Sequence, residues 1–374
     1  MSTPAKGLEG IIAAQTAISL IDGLNGHLFY RGIDVNDLAE QSTFEETTAL
    51  LWYGKLPSAA QLASIQRKFA LNRQIPNEVI SVMMALPKHT KVMDVLRTCV
   101  SVLASYDPQV LDNSLDANLN KAVRLTAALP TITAAWERIR NGLWPIAPSA
   151  DLGHAANFLY MLTGKEPSTT AARVLDIALI LHADHGLNAS TFAARVTAST
   201  LSDMHSAIVS AIGTLKGSLH GGANELVMRM LEEISELDRV DEYLQAAFAT
   251  KRKIMGFGHR IYKADDPRAP WLQRLAKDLA ESTGNMRWYE MSERIRKIVQ
   301  SERSLPVNVD FYSASVYYTL GIPIDLFTPI FAMSRIAGWT AHVYEQYSNN
   351  RLIRPEAEYT GPLGVPYTPL AERA

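Results

Sequence analysis

The spacing of hydrophobic residues indicates a chain built mostly of helices. After Gly32, apolar residues recur at intervals of three and four positions, which is the spacing of an amphipathic helix. The clearest predicted helices span residues 44–53, 59–71, 92–106 and 171–182. Prolines interrupt a helix, and those that separate the predicted helices are Pro57, Pro87, Pro108, Pro148 and Pro167.

Three features of the sequence differ from the pattern of an ordinary amphipathic helix. Residues 18–21 and 27–30 are apolar runs joined by a turn-rich stretch of Asp, Gly and Asn, which predicts a β-hairpin. Pro130 falls within the helical pattern of residues 125–139 and predicts a kink or a break. Residues 330–347 contain no proline and are apolar on nearly every face, as in a helix buried on all sides. The predicted class is all-α, with fifteen to twenty helices and one small N-terminal β-hairpin.

The composition is that of an ordinary globular protein. Hydrophobic residues make up 47% of the 374 residues and charged residues 20%, which provides enough apolar surface to offset the entropy lost on folding. At about 150 residues per domain, the length favours two or three domains. Nucleic-acid-binding proteins usually carry an excess of basic residues that neutralises phosphates. This chain has a net charge of −2, so we expect no nucleic-acid partner. A local cationic pocket remains compatible with that charge.

The sequence predicts no membrane or export segment. No stretch reaches the roughly 18 apolar residues that span a bilayer. The apolar residues 11–21 include Gln15, Thr16 and Ser19, which is unlike a signal peptide. The single cysteine, Cys99, cannot form an intrachain disulfide, which fits a reducing compartment. We therefore expect a cytoplasmic protein.

Three segments rich in Gly or Asn place a titratable residue near a predicted helix start. In the first, residues 217–225, His220 precedes Gly221 and Gly222, which allow a close approach of backbone or substrate. A surface histidine on a helix capped by Ser218 would explain the same residues. At a helix N-terminus, the helix dipole would disfavour protonation of His220, and a neutral imidazole can donate to a developing oxyanion.

The second segment, residues 256–268, gathers positive charge. Its candidate residues are Gly256, Phe257, Gly258, His259, Arg260, Lys263 and Arg268. Four of them are cationic or can become so within ten positions, which suits an anionic ligand. The Gly-x-Gly pair is too short for a dinucleotide fingerprint, and no βαβ pattern surrounds it. Asp266 and Pro267 are predicted to form the N-cap and first turn of a helix. The alternative for the segment is a surface loop with scattered charge.

The third segment, residues 308–315, places Asp310 among apolar and aromatic residues near a predicted helix start. Burial would raise the pKa of this carboxyl group, and the helix dipole would lower it. Asp310 is therefore a candidate general base. A capping or first-turn aspartate is the structural alternative.

Two histidines raise the question of a metal site. His182 and His185 are three positions apart and can share a helix face. No third ligand follows at zinc-site spacing, and no thiol is near. We predict no metal, and interpret the pair as one buried histidine and one substrate ligand.

Two arginines occur late in the chain. Arg335 is a charge within the otherwise apolar segment 330–347. Such a charge is costly unless it is paired, so Arg335 requires an acidic partner, for which a ligand carboxylate would serve. Arg354, which precedes a proline, would by itself pass as a surface residue.

Several short segments combine into one recognisable pattern. They are Tyr30-Arg31-Gly32, residues 182–190 (His-Ala-Asp-His-Gly-Leu-Asn-Ala-Ser), residues 219–225, residues 256–260 with 266–268, residues 308–310, residues 327–335 and Arg354-Pro355. Each segment alone is a weak signal. In their joint order and spacing, the chain resembles the citrate synthase family over nearly its whole length. Ile33 stands where an aromatic residue is frequent in the family, and this departure affects no catalytic position.

The resemblance implies a reaction and three catalytic roles. The reaction is the condensation of acetyl-CoA with oxaloacetate, followed by hydrolysis of the thioester to citrate and CoA, without a cofactor. Asp310 would remove a proton from the acetyl methyl group. His220 would stabilise the resulting enol or enolate, and His259 would polarise the oxaloacetate carbonyl.

The resemblance also implies binding residues. Those that would hold the substrate carboxylates are His185, Arg268, Arg335 and Arg354. Those that would contact CoA are Gly256, Phe257, Gly258 and Lys263. Arginine suits these carboxylates because its planar guanidinium group binds them with two hydrogen bonds.

The family organisation implies a small mobile domain, residues 217–321, inserted into a large domain formed by residues 1–216 and 322–374. In the family, the residue that matches Arg354 enters the active site of the partner subunit. A homodimer or a higher homo-oligomer is therefore implied.

Three alternatives remain at this point. The family relative 2-methylcitrate synthase uses propionyl-CoA and shares the same motifs, and one methylene is worth only about 1–3 kcal/mol of discrimination. A metal-dependent hydrolase built on the histidines is a remote alternative. A non-catalytic helical scaffold is another, although a scaffold has no need to keep His220, His259 and Asp310 together.

Overall fold

The computed structural model describes residues 5–259, 261–263 and 265–373. Arg260, one of the candidate cationic residues, lies outside the described residues. The described chain is mostly helical and carries one small antiparallel sheet near its N-terminus. The predicted all-α class with an N-terminal β-hairpin is confirmed.

The described residues form sixteen α-helices, within the predicted range. They are α1 (Val35–Gln41), α2 (Phe44–Tyr53), α3 (Ala59–Asn72), α4 (Asn77–Ala85), α5 (Val92–Leu103), α6 (Leu115–Arg140), α7 (His154–Thr163), α8 (Thr169–His182), α9 (Ala189–Ser199), α10 (Met204–Leu215), α11 (Ala223–Ile234), α12 (Val240–Ala249), α13 (Ala269–Thr283), α14 (Arg287–Arg303), α15 (Val309–Thr319) and α16 (Phe327–Ser348). No helix among the described residues combines the length and the apolar character needed to cross a membrane.

The four clearest helix predictions agree with the structure to within a few residues. Helix α2 has the predicted bounds, and α5 ends at Leu103 before a short 3₁₀ turn. Polar caps explain where these helices begin. The Ser58 side chain accepts from the backbone N–H of Gln61, whose side chain accepts from the N–H of Ser58 in return, at the start of α3.

Helix α6 runs through Pro130 without interruption. Of the predicted kink or break, the break does not occur, and the kink stays a prediction. Pro130 and the residues around it are buried, and α6 packs against α3, α5, α7 and α16. The apolar contacts along the buried helix outweigh the one backbone hydrogen bond and the steric strain, about 3 kcal/mol, that an internal proline costs.

The predicted hairpin is part of a three-stranded antiparallel sheet formed by β1 (Ser19–Asp22), β2 (His27–Tyr30) and β3 (Ile33–Asp34). Tyr30 pairs with Ile33 across a two-residue turn. The turn residues Arg31 and Gly32 have φ values of 50° and 86°, the positive pair that a tight turn of this type demands and that favours glycine. This geometry accounts for the Tyr-Arg-Gly motif.

Helix α16 is the centre of the fold, as predicted. It contacts α2, α6, α8, α9 and α10, and nearly every residue from Phe327 to Val343 is buried. Gly338 allows this helix to approach the loop after α8. A Cβ atom at Gly338 would lie 2.3 Å from Asp184 Oδ1, and the Gly338 N–H donates to the Ala183 carbonyl oxygen at 3.1 Å.

Helices α11 to α15 pack mainly on one another. The most extensive contacts are those of α13 and α11 with α15, and of α12 with α14. Contacts with the rest of the chain are fewer and involve α8 and α16. The parts of α11, α13 and α15 that contact α8 and α16 lie near the candidate active site.

Candidate active site

One cavity of about 830 Å³ collects residues that are distant in sequence. Its walls are the α8–α9 loop, the turn before α11, the loop before α13, the first turn of α15, and α16. Residues 7–11 and Ala13 add a wall that no sequence signal indicated. The predicted catalytic and carboxylate-binding residues that line the cavity are His185, His220, His259, Arg268, Asp310 and Arg335.

The α8–α9 loop is held from two sides and carries His185. The Tyr30 hydroxyl group from the sheet donates to the Asp184 carbonyl oxygen at 2.9 Å. The Asp184 side chain accepts from the Gly186 N–H at 3.0 Å and lies 3.3 Å from Nε2 of His342 on α16. Because Asp184 joins three elements, the loop presents His185 from a rigid support.

His185 lies in an aromatic cluster with His259 and Tyr262. The ring centroids of His185 and His259 are 5.2 Å apart, and Nε2 of His185 lies 3.2 Å from the Tyr262 hydroxyl oxygen. Burial and the nearby Arg268 and Arg335 hold the pKa of His185 well below its usual range. This side chain is therefore a neutral imidazole.

His182 is buried one turn away and does not line the cavity. Its Nδ1 lies 2.7 Å from the Ala178 carbonyl oxygen and donates to it. Burial and Arg268 lower the pKa of His182 to about 3. Both histidines are therefore buried, and of the two His185 lines the cavity, while its role as a substrate ligand stays a prediction. Across the described ranges, no three His, Cys, Asp or Glu side chains are grouped as metal ligands.

His259 lies in the loop before α13, ten positions before the helix begins, so the expectation of a helix start here was wrong. The backbone N–H groups of Ile261 and Tyr262 both donate to its Nδ1, each at 3.1 Å. A nitrogen that accepts two hydrogen bonds carries no proton, so the neutral ring carries its proton on Nε2. Burial and Arg268 lower the pKa of His259 to about 4.

His220 lies in the turn that precedes α11. The helix begins at Ala223 with Gly222 at its N-cap, so the alternative of a helix capped by Ser218 was wrong. Gly221 is required for packing, because a Cβ atom there would lie 2.3 Å from the Leu215 carbonyl oxygen. Burial, with a smaller effect of Arg335, lowers the pKa of His220 to about 4.

Ser190 fixes the tautomer of His220, and the sequence reasoning assigned it no role. The Ser190 N–H donates to Nε2 of His220 at 3.2 Å, and the Ser190 hydroxyl oxygen lies 2.8 Å from the same nitrogen. Nε2 is therefore an acceptor, and the neutral ring carries its proton on Nδ1. The signal available beforehand was the position of Ser190 at the end of the 182–190 motif.

Asp310 occupies the first turn of α15, as predicted. The Asn308 side chain caps the helix by accepting from the Asp310 N–H at 3.1 Å. Burial raises the pKa of the Asp310 carboxyl group to about 6, although Arg268 acts in the opposite direction. The carboxylate is thus more basic than an exposed one and is ionised at neutral pH.

Arg268 is buried in a two-point ion pair with Asp266. Its Nε and Nη2 donate to the two carboxylate oxygens at 2.9 and 2.7 Å. Burial acts to lower the pKa of Arg268, but Asp266 raises it overall. Asp266 also accepts from the Val309 N–H at 3.2 Å. Asp266 and Pro267 do not begin α13, which starts at Ala269, and that prediction was wrong.

Arg335 extends from α16 into the cavity and is 1% exposed. Its Nε donates to the His182 carbonyl oxygen at 2.8 Å, and its guanidinium carbon lies 4.7 Å from the centre of the Phe331 ring. No carboxylate of the described residues lies within 4.0 Å of its nitrogens. Burial lowers the pKa of Arg335 to about 10. The guanidinium group is therefore charged and available to a ligand anion.

Of the remaining candidate residues that the structure describes, Gly258 alone is among those that line the cavity. Of the four predicted CoA contacts, Gly258 lines the cavity. Phe257 is buried and pairs with Val307, and Lys263 is exposed outside the cavity. Arg354 is exposed in the C-terminal segment and does not line the cavity.

The gathered groups suit the chemistry of a carbon acid and an anionic electrophile. A basic carboxylate faces a cavity that contains two neutral imidazoles of defined tautomer. Removal of a proton next to a thioester carbonyl requires a base and a preorganised hydrogen-bond donor that act together. Arg268 and Arg335 supply the positive charge for a small dianion.

Comparison with known proteins identifies the family. The family model of the citrate synthase C-terminal domain matches residues 7–356. Citrate synthase 2 of Bacillus subtilis is 50% identical over 373 residues, with 100% of both chains covered. The citrate synthase of Haloferax volcanii is 49% identical, with 98% of both chains covered. A 2-methylcitrate synthase of Mycobacterium tuberculosis is 44% identical over 95% of this chain and 90% of its own.

Solved structures agree with the sequence comparison. The ternary complex of carboxymethyl coenzyme A and oxaloacetate with citrate synthase from Thermoplasma acidophilum superimposes with a TM-score of 0.94. That chain is 32% identical and is covered, like this one, to 100%. The described fold, the family match over most of the chain and these identities lead to one conclusion: the chain is an acyltransferase that belongs to the citrate synthase family.

Proposed function

We propose that this enzyme condenses acetyl-CoA with oxaloacetate and water to give citrate and CoA, through Asp310, His220 and His259. The observation that carries the proposal is the convergence of these three side chains with His185 and two buried arginines on one cavity. The relative from Thermoplasma acidophilum was solved with oxaloacetate and a CoA derivative bound, which supports the same substrates here.

In the first step, Asp310 takes a proton from the acetyl methyl group. Its raised pKa, about 6, makes it a stronger base than an ordinary carboxylate while it remains ionised at neutral pH. The electron pair of the broken C–H bond moves to the thioester oxygen. The Nδ1–H of His220 donates to that oxygen, because Nε2 of the ring is occupied by Ser190.

In the second step, the enolate carbon forms a bond with the carbonyl carbon of oxaloacetate. The carbonyl oxygen receives a proton from Nε2 of His259, whose Nδ1 is held by two backbone N–H groups. The proton that Asp310 removed in the first step is then returned, which leaves the His259 ring neutral and Asp310 ionised. The product is a citryl thioester. Water then adds to the thioester carbonyl, and the C–S bond breaks to give citrate and the free thiol of CoA.

The substrate carboxylates are held by His185, Arg268 and Arg335. Arg268 is aligned by Asp266 through two hydrogen bonds. Arg335 has its Nε anchored on the His182 carbonyl oxygen. The buried guanidinium group of Arg335 has no carboxylate within ion-pair distance among the described residues. A bound dianion would balance this charge, which is an electrostatic reason for the cavity to select oxaloacetate.

Arg354 completes the proposal as a residue that acts in a second copy of the chain. It is exposed and lies outside the cavity of its own chain. In a homodimer, in which two sites share one interface, it would enter the cavity of the partner as a third carboxylate-binding arginine. Contacts of CoA with Gly256, Phe257, Gly258 and Lys263 belong to the same proposal.

Domain closure would let the site exclude water during condensation. Residues 217–321 contain α11 to α15, which pack mainly on one another, and would move as a small domain against residues 1–216 and 322–374. His259, Arg268 and Asp310 would move with the small domain, and His185 and Arg335 belong to the large one.

A cytoplasmic location is supported by Cys99, a free and buried thiol.

A second candidate is 2-methylcitrate synthase, favoured by the 44% identity to such an enzyme from Mycobacterium tuberculosis. The two reactions differ by one methylene of the acyl group. The identity to citrate synthases is higher, at 49–50%, and supports acetyl-CoA as the preferred substrate.

The test is a thiol-release assay with each acyl-CoA and oxaloacetate. We expect free thiol from acetyl-CoA only when oxaloacetate is present, and a higher kcat/KM for acetyl-CoA than for propionyl-CoA. The absence of thiol release from either substrate at micromolar enzyme would disprove the function. A higher kcat/KM for propionyl-CoA would select the second candidate.

A further inference from the structure

We propose that Tyr262 is a positioning residue for the binding of oxaloacetate. It contacts both histidines of the substrate site, His185 through its hydroxyl group and His259 through its backbone N–H. The proposal rests on the function proposed above. Tyr262 is 2% exposed and lies in the loop before α13. Its ring centroid is 5.5 Å from that of His185 and 4.6 Å from that of His259.

The hydroxyl group of Tyr262 acts on His185. It lies 3.2 Å from Nε2, within hydrogen-bond distance. Between a phenol and a neutral imidazole, the phenol is the better donor and the unprotonated ring nitrogen the better acceptor. The Tyr262 O–H therefore donates to Nε2, and the neutral His185 ring carries its proton on Nδ1. When oxaloacetate binds, that N–H would donate to a substrate carboxylate.

The backbone of Tyr262 acts on His259. Its N–H is one of the two that donate to Nδ1 of that ring, at 3.1 Å. One residue thus specifies the proton position of both histidines, by its hydroxyl group in one case and by its main chain in the other. The two effects can be separated, because a phenylalanine keeps the backbone N–H and the ring while it lacks the hydroxyl group.

The burial of the phenol argues that this hydrogen bond has a role. A buried hydroxyl group loses hydration and needs a partner, and a phenylalanine would fill the same space without that loss. His185 is the partner that the described residues provide. The hydroxyl group therefore serves the orientation of His185, a ring that lines the substrate cavity.

The test is the variant Tyr262→Phe, assayed by thiol release with each substrate varied in turn. We expect the KM for oxaloacetate to rise about three- to tenfold, the range that one net hydrogen bond supports. We expect kcat and the KM for acetyl-CoA to change less than about twofold, because His259 keeps both of its backbone donors. Tyr262→Leu, which also removes the ring beside His259, should lower kcat as well.

Three further measurements keep the result decisive. Tyr347→Phe is the matched control, since its hydroxyl group bonds to the Ser202 carbonyl oxygen outside the cavity, and it should leave both KM values unchanged. In a His185→Gln background, Tyr262→Phe should add no further increase in the KM for oxaloacetate, because the hydroxyl group acts through that ring. The rise in melting temperature produced by oxaloacetate measures binding even if a variant is less stable.

The outcomes separate the two proposals. An unchanged KM for oxaloacetate in Tyr262→Phe, with an active wild-type enzyme, overturns the role of Tyr262 and leaves the proposed function intact. Equal losses in all kinetic parameters together with a lower melting temperature also overturn it, since they indicate general damage. An additive effect in the His185→Gln background rejects the coupling to His185. A wild-type enzyme that releases no thiol refutes the proposed function itself.

Discussion

Ser190 and His220 are linked twice, although thirty positions separate them in the chain. The Ser190 N–H donates to Nε2 of His220 at 3.2 Å, and the Ser190 hydroxyl oxygen lies 2.8 Å from that nitrogen. The hydroxyl group also lies 2.8 Å from Asn188 Oδ1, the other acceptor that its one proton can serve, and it accepts from Trp339 at 3.1 Å. The proton of the neutral imidazole is thereby directed to Nδ1.

The variant Ser190→Ala should weaken catalysis while substrate binding is kept. It retains the backbone donor and loses the hydroxyl group, so the His220 ring is less well oriented toward the enolate. We expect kcat to fall about tenfold, in keeping with a misplaced donor in an oxyanion site, and the KM for oxaloacetate to stay constant. Ser301→Ala, at an exposed position of α14, is the control. An equal fall in both variants would contradict the assignment.

Asp310→Asn should abolish turnover without preventing oxaloacetate binding. The amide keeps the shape of the side chain but cannot take a proton, so we expect kcat to fall by about 10²–10⁴. Calorimetry should show oxaloacetate binding within about threefold of wild type, because the proposed carboxylate ligands are other residues. Asp278→Asn, exposed on α13, should behave as wild type. Loss of oxaloacetate binding with turnover intact would show that the roles are wrong.

The pH dependence should report the base and not the histidines. Asp310 must be ionised to act, and its pKa of about 6 in the free enzyme predicts that kcat/KM for acetyl-CoA falls as pH drops through that value, about tenfold per unit below it. Burial holds the pKa values of His220 and His259 at about 4, so both rings stay neutral across this range. A limb near pH 4, with none near pH 6, would assign the titration to the histidines.

Arg335→Lys should impair oxaloacetate binding although the charge is kept. A lysine cannot reproduce the planar guanidinium group, whose Nε donates to the His182 carbonyl oxygen while its plane lies over Phe331. We expect the KM for oxaloacetate to rise at least about tenfold, one lost charged hydrogen bond being worth about 1.5–3 kcal/mol. Arg303→Lys, exposed at the end of α14, should leave that KM unchanged.

A complementation experiment should reveal whether Arg354 acts in a second chain. Asp310→Asn and Arg354→Ala should each be nearly inactive as homodimers. In a mixed dimer, one site would combine both defects, and the other would have an intact base and an intact arginine from the partner. Random reassembly of an equal mixture should therefore restore about a quarter of wild-type activity. No recovery from a mixture shown to contain mixed dimers would place Arg354 outside the shared site.

Local pattern was sufficient for much of the fold. Helices such as α2 and α3 were predicted nearly to the residue, because periodicity, caps and prolines act within a few positions. Pro130, where the helix continues without a break, was one exception. Whether a proline breaks a helix depends on how extensively neighbouring helices pack against that helix. This packing cannot be read from the residues around Pro130 in the sequence.

The sequence by itself predicted the chemical groups of the site, because His220, His259 and Asp310 occur in short motifs whose order is specific. Only the tertiary structure decided how those groups are protonated. The proton of His220 is directed by Ser190, that of His259 by the main chain at Ile261 and Tyr262, and the basicity of Asp310 is raised by burial. Hydrogen-bond partners and desolvation come from whatever the fold brings close in space, so they become definite only when the chain is packed.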